Sequence, residues 1–264
     1  MSGLTTSYPV LLAAFLGLGA MLLLAVGTWL ISLAKRDVSI VDSVWSALIF
    51  LGAAVYACAL PQPGPRTTLV LVLAALWAIR LAGYIAWRNW GEPEDRRYVE
   101  IRARNQPHFA CKSLYLVFIL QAVLAWIVSA APMGALIGLS ALDWLDGLGA
   151  AVVIFGIAFE AVGDGQLAAF KAHPQNRGKV MDQGLWHYTR HPNYFGEFCV
   201  WWGFYLIALS AGGWWAMVSP LLMSLLLLKV SGVTLLEKDL TERRPQYRDY
   251  IAHTNAFFPG IPKK

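Results

Sequence analysis

Charge is scarce in this chain. Only 14% of its 264 residues are Asp, Glu, Lys or Arg, against 58% that are hydrophobic. A soluble domain carries roughly 25% charged residues, so this shortage excludes an ordinary soluble fold. Cysteine is nearly absent. Cys58, Cys111 and Cys199 stand singly in apolar surroundings, which excludes a disulfide framework and a zinc-type ligand spacing, and no metal site is expected. No basic n-region precedes the first apolar run, and the run is far too long for a signal peptide. It is expected to stay in the mature protein. A glycine-rich nucleotide loop is missing as well: Gly17-x-Gly19 lies inside that run, follows no strand and lacks the third glycine. There is no transporter-type internal repeat and no low-complexity linker. Neither a nucleic-acid partner nor an obligate protein partner is expected.

What is present is hydrophobic and aromatic. Twelve tryptophans and a mean hydropathy of +0.53 point to an integral membrane protein. A span needs roughly 20 mainly apolar residues. Seven segments supply it: 10–34, 38–60, 67–87, 113–133, 147–170, 192–210 and 213–230. Between them lie Lys35-Arg36-Asp37, a proline-rich turn at 61–65, a polar loop at 88–112, the link 134–146, a second polar loop at 171–191, and Ala211-Gly-Gly213. A charged tail covers 237–264. With the N-terminus outside, all but two of the 21 Lys and Arg fall on the cytoplasmic side or snorkel to it from Lys229. The exceptions are Arg66, outside, and Arg80, within a span. Six or eight spans would scatter these charges over both faces. The sequence therefore predicts one all-α domain over 1–264 with seven transmembrane helices, N-terminus outside and C-terminus cytoplasmic.

Six ionisable residues lie in or at the ends of spans: Asp42, Arg80, Glu160, Asp164, Glu197 and Lys229. Each costs roughly 2.5–3.5 kcal/mol on insertion scales and so requires a partner or water. Counting 1.5 Å per residue from the ends of the spans puts all six in the cytoplasmic half. That arrangement suits one polar cavity open to the cytosol and suits a through-membrane channel poorly. Trp77, Arg80, Tyr84 and Arg88 form one helical stripe, Glu160, Asp164 and Lys171 another, and Asp42 and Trp45 are three apart on the second span. The plainer readings are an interfacial belt for the tryptophans and a structural ion pair between Asp42 and Arg80.

The densest signal is Gly184-Leu-Trp-His-Tyr-Thr-Arg-His-Pro-Asn-Tyr-Phe-Gly-Glu197. Pro192 suits the first turn of a helix, and Asn193 and Glu197, four apart, share one face of it. From spacing alone this is either a ligand-holding cluster or a polar collar at the membrane surface. Together with Glu160-x-x-x-Asp164, Val41-Asp-Ser-Val-Trp45, Arg80-Leu-Ala-Gly-Tyr84 and the pair Tyr250 and Pro259, the string resembles the steroid 5α-reductase superfamily in its bacterial, DUF1295-type branch. The likeness covers most of the chain, with its signature region at about 147–264. Sterol reductases and isoprenylcysteine methyltransferases share parts of the string, but Asn193 with Glu197 is similar to the reductase version.

The resemblance implies a seven-helix enzyme that holds NADPH in the cytoplasmic half, beside an apolar enone lipid such as a 3-oxo-Δ4 steroid drawn from the membrane. It carries nucleotide contacts onto Arg80, Arg88, Asp164, Lys171, Lys179, Arg190, His191, Asn193, Glu197, Arg243 and Tyr247. Hydride would go to the β-carbon while a donor stabilises the oxyanion forming on the ketone. The family's acid falls on Asp42 and its tyrosine on Trp77, so Asp42 with Trp77 or Tyr84 is the expected catalytic set, and Trp45 and Trp77 would touch substrate. The alternatives are an S-adenosylmethionine-dependent methyltransferase of a lipid or prenyl-cysteine, a sterol C=C reductase, and a lipid-binding protein without chemistry.

Overall fold

Each apolar segment forms a helix. The computed structural model describes residues 2–60, 64–138, 140–230, 237 and 246–262. In chain order the helices are α1 Ser2–Lys35, α2 Ile40–Ala59, α3 Pro65–Arg88, α4 Arg96–Arg104, α5 Phe109–Leu136, α6 Trp144–Ala172, α7 Pro192–Ser210, α8 Trp214–Lys229 and α9 Tyr247–His253. No strand occurs among the described residues. Local chemistry sets the ends. Pro65 and Pro192 open α3 and α7, where a missing N–H costs nothing. The Asp143 carboxylate caps α6 by accepting the Leu145 and Asp146 N–H groups at 2.8 and 3.1 Å.

Five helices, α1, α2, α3, α5 and α6, are long and apolar enough to cross a membrane. The segments expected as the sixth and seventh spans fall short of that measure. Asn193, Glu197 and several Tyr and Trp residues dilute the hydropathy of α7, and α8 is short. The helices alternate in direction. Tyr56 of α2 packs on Gly17 of α1 and gives or takes a 2.7 Å hydrogen bond with Ser129 of α5. Ser46 of α2 donates to the Ala78 carbonyl of α3 at 3.0 Å. One end of the bundle gathers the polar loops, α4 and α9, and we call it the basic end.

The closest approach is between α6 and α7. Glycines recur every seven residues on α6, at Gly149, Gly156 and Gly163, and again on α7 at Gly196 and Gly203. A Cβ at Gly156 would lie 2.6 Å from the Gly196 carbonyl, and one at Gly149 would lie 2.7 Å from that of Gly203. The two backbones therefore touch, as small residues allow between membrane helices. Gly156→Ala is expected to push α7 away and destabilise the protein by about 1–3 kcal/mol, read as a lower melting temperature in detergent. Gly147→Ala, where no neighbour lies within 4 Å, should leave it unchanged.

The far end is closed by Arg66, which the charge pattern left as a lone outside residue. It is only 4% exposed. Its Nε and Nη2 donate to the two Asp146 oxygens at 2.8 and 2.7 Å. Nη1 donates to the Ser140 carbonyl at 3.0 Å, and Nη2 also reaches Ala141 O and Ser210 Oγ, each at 3.1 Å. This guanidinium thus ties α3 to the start of α6 and the end of α7.

Candidate functional site

The two stripes read from the sequence meet. Arg80 of α3 forms ion pairs with both Glu160 and Asp164 of α6, and its guanidinium lies 5.7 Å from the Tyr84 ring. Glu197 of α7 enters the same cluster. Its Oε2 accepts the Trp77 indole N–H at 2.8 Å and its Oε1 accepts that of Trp201 at 2.9 Å, while the two indoles meet edge to face at 5.1 Å. Asn193, half-buried on the first turn of α7, lies near Asp164.

A second cluster sits on α2 and α4. Asp42 does not pair with Arg80. Its Oδ2 accepts from Arg97 Nη2 at 2.8 Å, and its Oδ1 accepts the Tyr98 hydroxyl at 2.5 Å. Asp95 starts α4 by accepting the Arg97 N–H at 2.9 Å and holds the Arg97 side chain as well. Burial pushes the Tyr98 phenol well above its ordinary pKa, and the charge and hydrogen bond of Asp42 push it further, so it stays protonated. The clusters adjoin at Tyr194, whose hydroxyl feels Arg97, Arg88, Asp42 and Asp164 together.

Of the expected catalytic set, only Asp42 keeps a donor beside it, and that donor is Tyr98. The Trp77 N–H is engaged by Glu197, and the Tyr84 hydroxyl reaches only the Asp164 carbonyl, at 3.4 Å. Trp45 is half-buried against the core one turn past Asp42. Tyr98 was missed because it lies in a polar loop. The local signal was Asp95, a capping residue ahead of a short helix that turns Tyr98 inward.

The expected nucleotide contacts divide in two. Arg190, His191 and Glu197 are buried, and their polar atoms are taken up within the fold. Arg190 donates to Glu237 at 2.7 Å and to the Ile251 and Thr254 carbonyls at 3.1 and 2.5 Å, and His191 Nε2 lies 3.0 Å from Glu237. Both residues hold the tail against α7 instead of facing a ligand. Burial pushes the Glu237 carboxyl up, but the His191 and Arg190 hydrogen bonds outweigh it and leave the group below its ordinary value. Tyr247 is buried beside the same knot, 5.5 Å from Tyr250. Arg243 lies outside the described residues.

Arg88, Lys171 and Lys179 are exposed and Asn193 is half-buried, so these side chains remain accessible to a bound anion. Lys179 lines a cavity of about 510 Å³ between the 176–187 loop and the tail, with Asp182, His187, Asp249 and His253. None of the residues of the two clusters lines it. Arg88, near Asp164 and the half-buried Asn193 amide, matches the phosphates and hydroxyls of a nucleotide in charge and donor chemistry. Among the described residues no group of three His, Cys, Asp or Glu is placed to hold a metal ion.

Residues 28–254 match the family model described as protein of unknown function DUF1295. The chain belongs to the DUF1295 family. That family is associated with steroid 5α-reductase-like proteins, which bears out the resemblance at that level. No curated protein and no solved structure matches this DUF1295 chain.

Proposed function

We propose that this DUF1295 protein is an integral membrane oxidoreductase that uses NADPH to reduce the C=C bond of an apolar enone lipid, a 3-oxo-Δ4 steroid or a molecule of that shape. The observation that carries this reading is the Asp42–Tyr98 pair. It is a protonated phenol held 2.5 Å from a carboxylate, at the basic end and beside the Arg80 cluster. When bound, NADPH supplies a hydride to the β-carbon. The chain must then stabilise the negative charge that grows on the ketone oxygen, and a hydroxyl held nearby can do so. Tyr98 would transfer to that oxygen the hydrogen bond it donates to Asp42, Asp42 stays fixed by Arg97, and the enolate then takes a proton at its α-carbon from solvent. Arg88, Lys171, Lys179, Asn193 and Asp164 would bind the nucleotide.

The same reading takes all seven apolar helices as spans, with the N-terminus outside and the basic end in the cytoplasm of a bacterial inner membrane. The placement of the Lys and Arg residues supports this, as does the alternating direction of the helices. A reporter fused at the C-terminus is expected to read cytoplasmic and a tag at Met1 to be reachable from outside. Both ends on one side would overturn the seven-span reading.

Calorimetry on the detergent-solubilised protein tests the cofactor. NADPH is expected to bind more tightly than NADH, since a lysine such as Lys179 suits the 2′-phosphate, and Asn193→Ala should weaken binding in a protein that still folds. Tight S-adenosylmethionine binding with no NADPH binding would replace this reading with the methyltransferase one.

A further inference from the structure

Glu160 and Glu197 meet at the α6–α7 contact, where Gly196 makes room for the Glu160 side chain. A Cβ at Gly196 would lie 2.5 Å from Glu160 Cγ. Three of the four oxygens of these carboxyls receive donors: Glu197 Oε2 from Trp77, Glu197 Oε1 from Trp201, and Glu160 Oε2 from Arg80. The fourth, Glu160 Oε1, is buried and meets none. The Glu197 carboxyl is its neighbour across the α6–α7 contact, next in sequence to the Gly196 that touches Glu160, and an ionised carboxylate can only accept. Two acceptors would then face each other in an apolar bundle, and an orphaned buried acceptor is destabilising before any repulsion is counted.

The charges point the same way. Arg80 from α3 is the guanidinium shared by Glu160 and Asp164 of α6, with Glu197 of α7 beside them. The remaining neighbours are Asn193 near Asp164, the Trp77 and Trp201 indoles, and the Cys199 thiol. One proton on Glu160 Oε1 turns the orphaned acceptor into an O–H donor to Glu197, and it removes one negative charge from the interior.

We propose that Glu160 and Glu197 form a proton-sharing carboxyl pair, a protonation site inside the helix bundle, with the proton borne by Glu160. The site does not depend on the cofactor or on the substrate.

Infrared spectroscopy of the full-length protein in detergent at neutral pH tests it, alongside thermal unfolding. The expected spectrum contains the C=O stretch of a protonated carboxylic acid, shifted in D2O and lost in Glu160→Gln. In that variant an amide N–H takes over from the O–H as donor to Glu197, so it should melt with the wild type. Glu197→Gln turns an NH2 group toward an indole N–H and should melt lower. A wild-type spectrum without the band, or a band that survives Glu160→Gln, overturns the proposal. So does a Glu160→Gln variant that melts as low as Glu197→Gln. If Glu197→Gln does not fold, the wild-type and Glu160→Gln spectra still decide.

Discussion

Tyr98→Phe is expected to leave NADPH binding intact and to lower turnover of a 3-oxo-Δ4 steroid by about 10²–10³, the usual cost of deleting one oxyanion donor. The substitution removes a single oxygen. The ring still packs at the α2–α4 junction, and Arg97 still holds Asp42. Asp42→Asn should slow the same step, because an amide positions the phenol differently from a carboxylate. The double variant should be little slower than the worse single one, since groups acting as a unit are not additive. Steroid product followed by mass spectrometry at saturating NADPH checks this. Wild-type turnover in Tyr98→Phe would remove the pair from the mechanism and leave α4 as a structural cover.

Arg66→Ala should be the most damaging single change to stability. It strands the buried Asp146 carboxylate and four acceptors from Gly138, Ser140 and Ala141, and removing one partner of a buried ion pair costs about 3–5 kcal/mol. Chemical denaturation in detergent should show the midpoint falling by a large fraction of the total. Arg66→Lys should recover only part of it, because one ammonium cannot replace a two-pronged contact with Asp146 and the further bonds to Ser140, Ala141 and Ser210. Unchanged unfolding in Arg66→Ala would mean that water reaches Asp146.

Features set by local spacing were legible in the sequence. The apolar runs gave all the long helices, and Pro192 with Asn193 and Glu197 gave the start and polar face of α7. The stripes on α3 and α6 were read as one cavity wall each, and they do meet through Arg80. Partnerships across long separations were not legible. Arg66 finds Asp146 eighty residues on, and Arg190 finds Glu237 in the tail. No periodicity marks such pairs, so Arg66 looked like a stray charge and Arg190 like a ligand contact. The glycine seam was readable, since Gly149, Gly156 and Gly163 recur every seven residues, the interval at which one helix face returns.

Arg66 and Arg80 sit fourteen residues apart on α3, and so do their partners Asp146 and Glu160 on α6. At 1.5 Å per residue the two attachments are about 21 Å apart, roughly two thirds of the depth of a bilayer core. Two parallel rods joined at two matching points can neither slide nor roll against each other unless both joints break together. With α6 and α7 already in backbone contact, the two joints also fix α3 in register with that pair. Separating α3 from α6 is therefore an all-or-none event in which both joints open together.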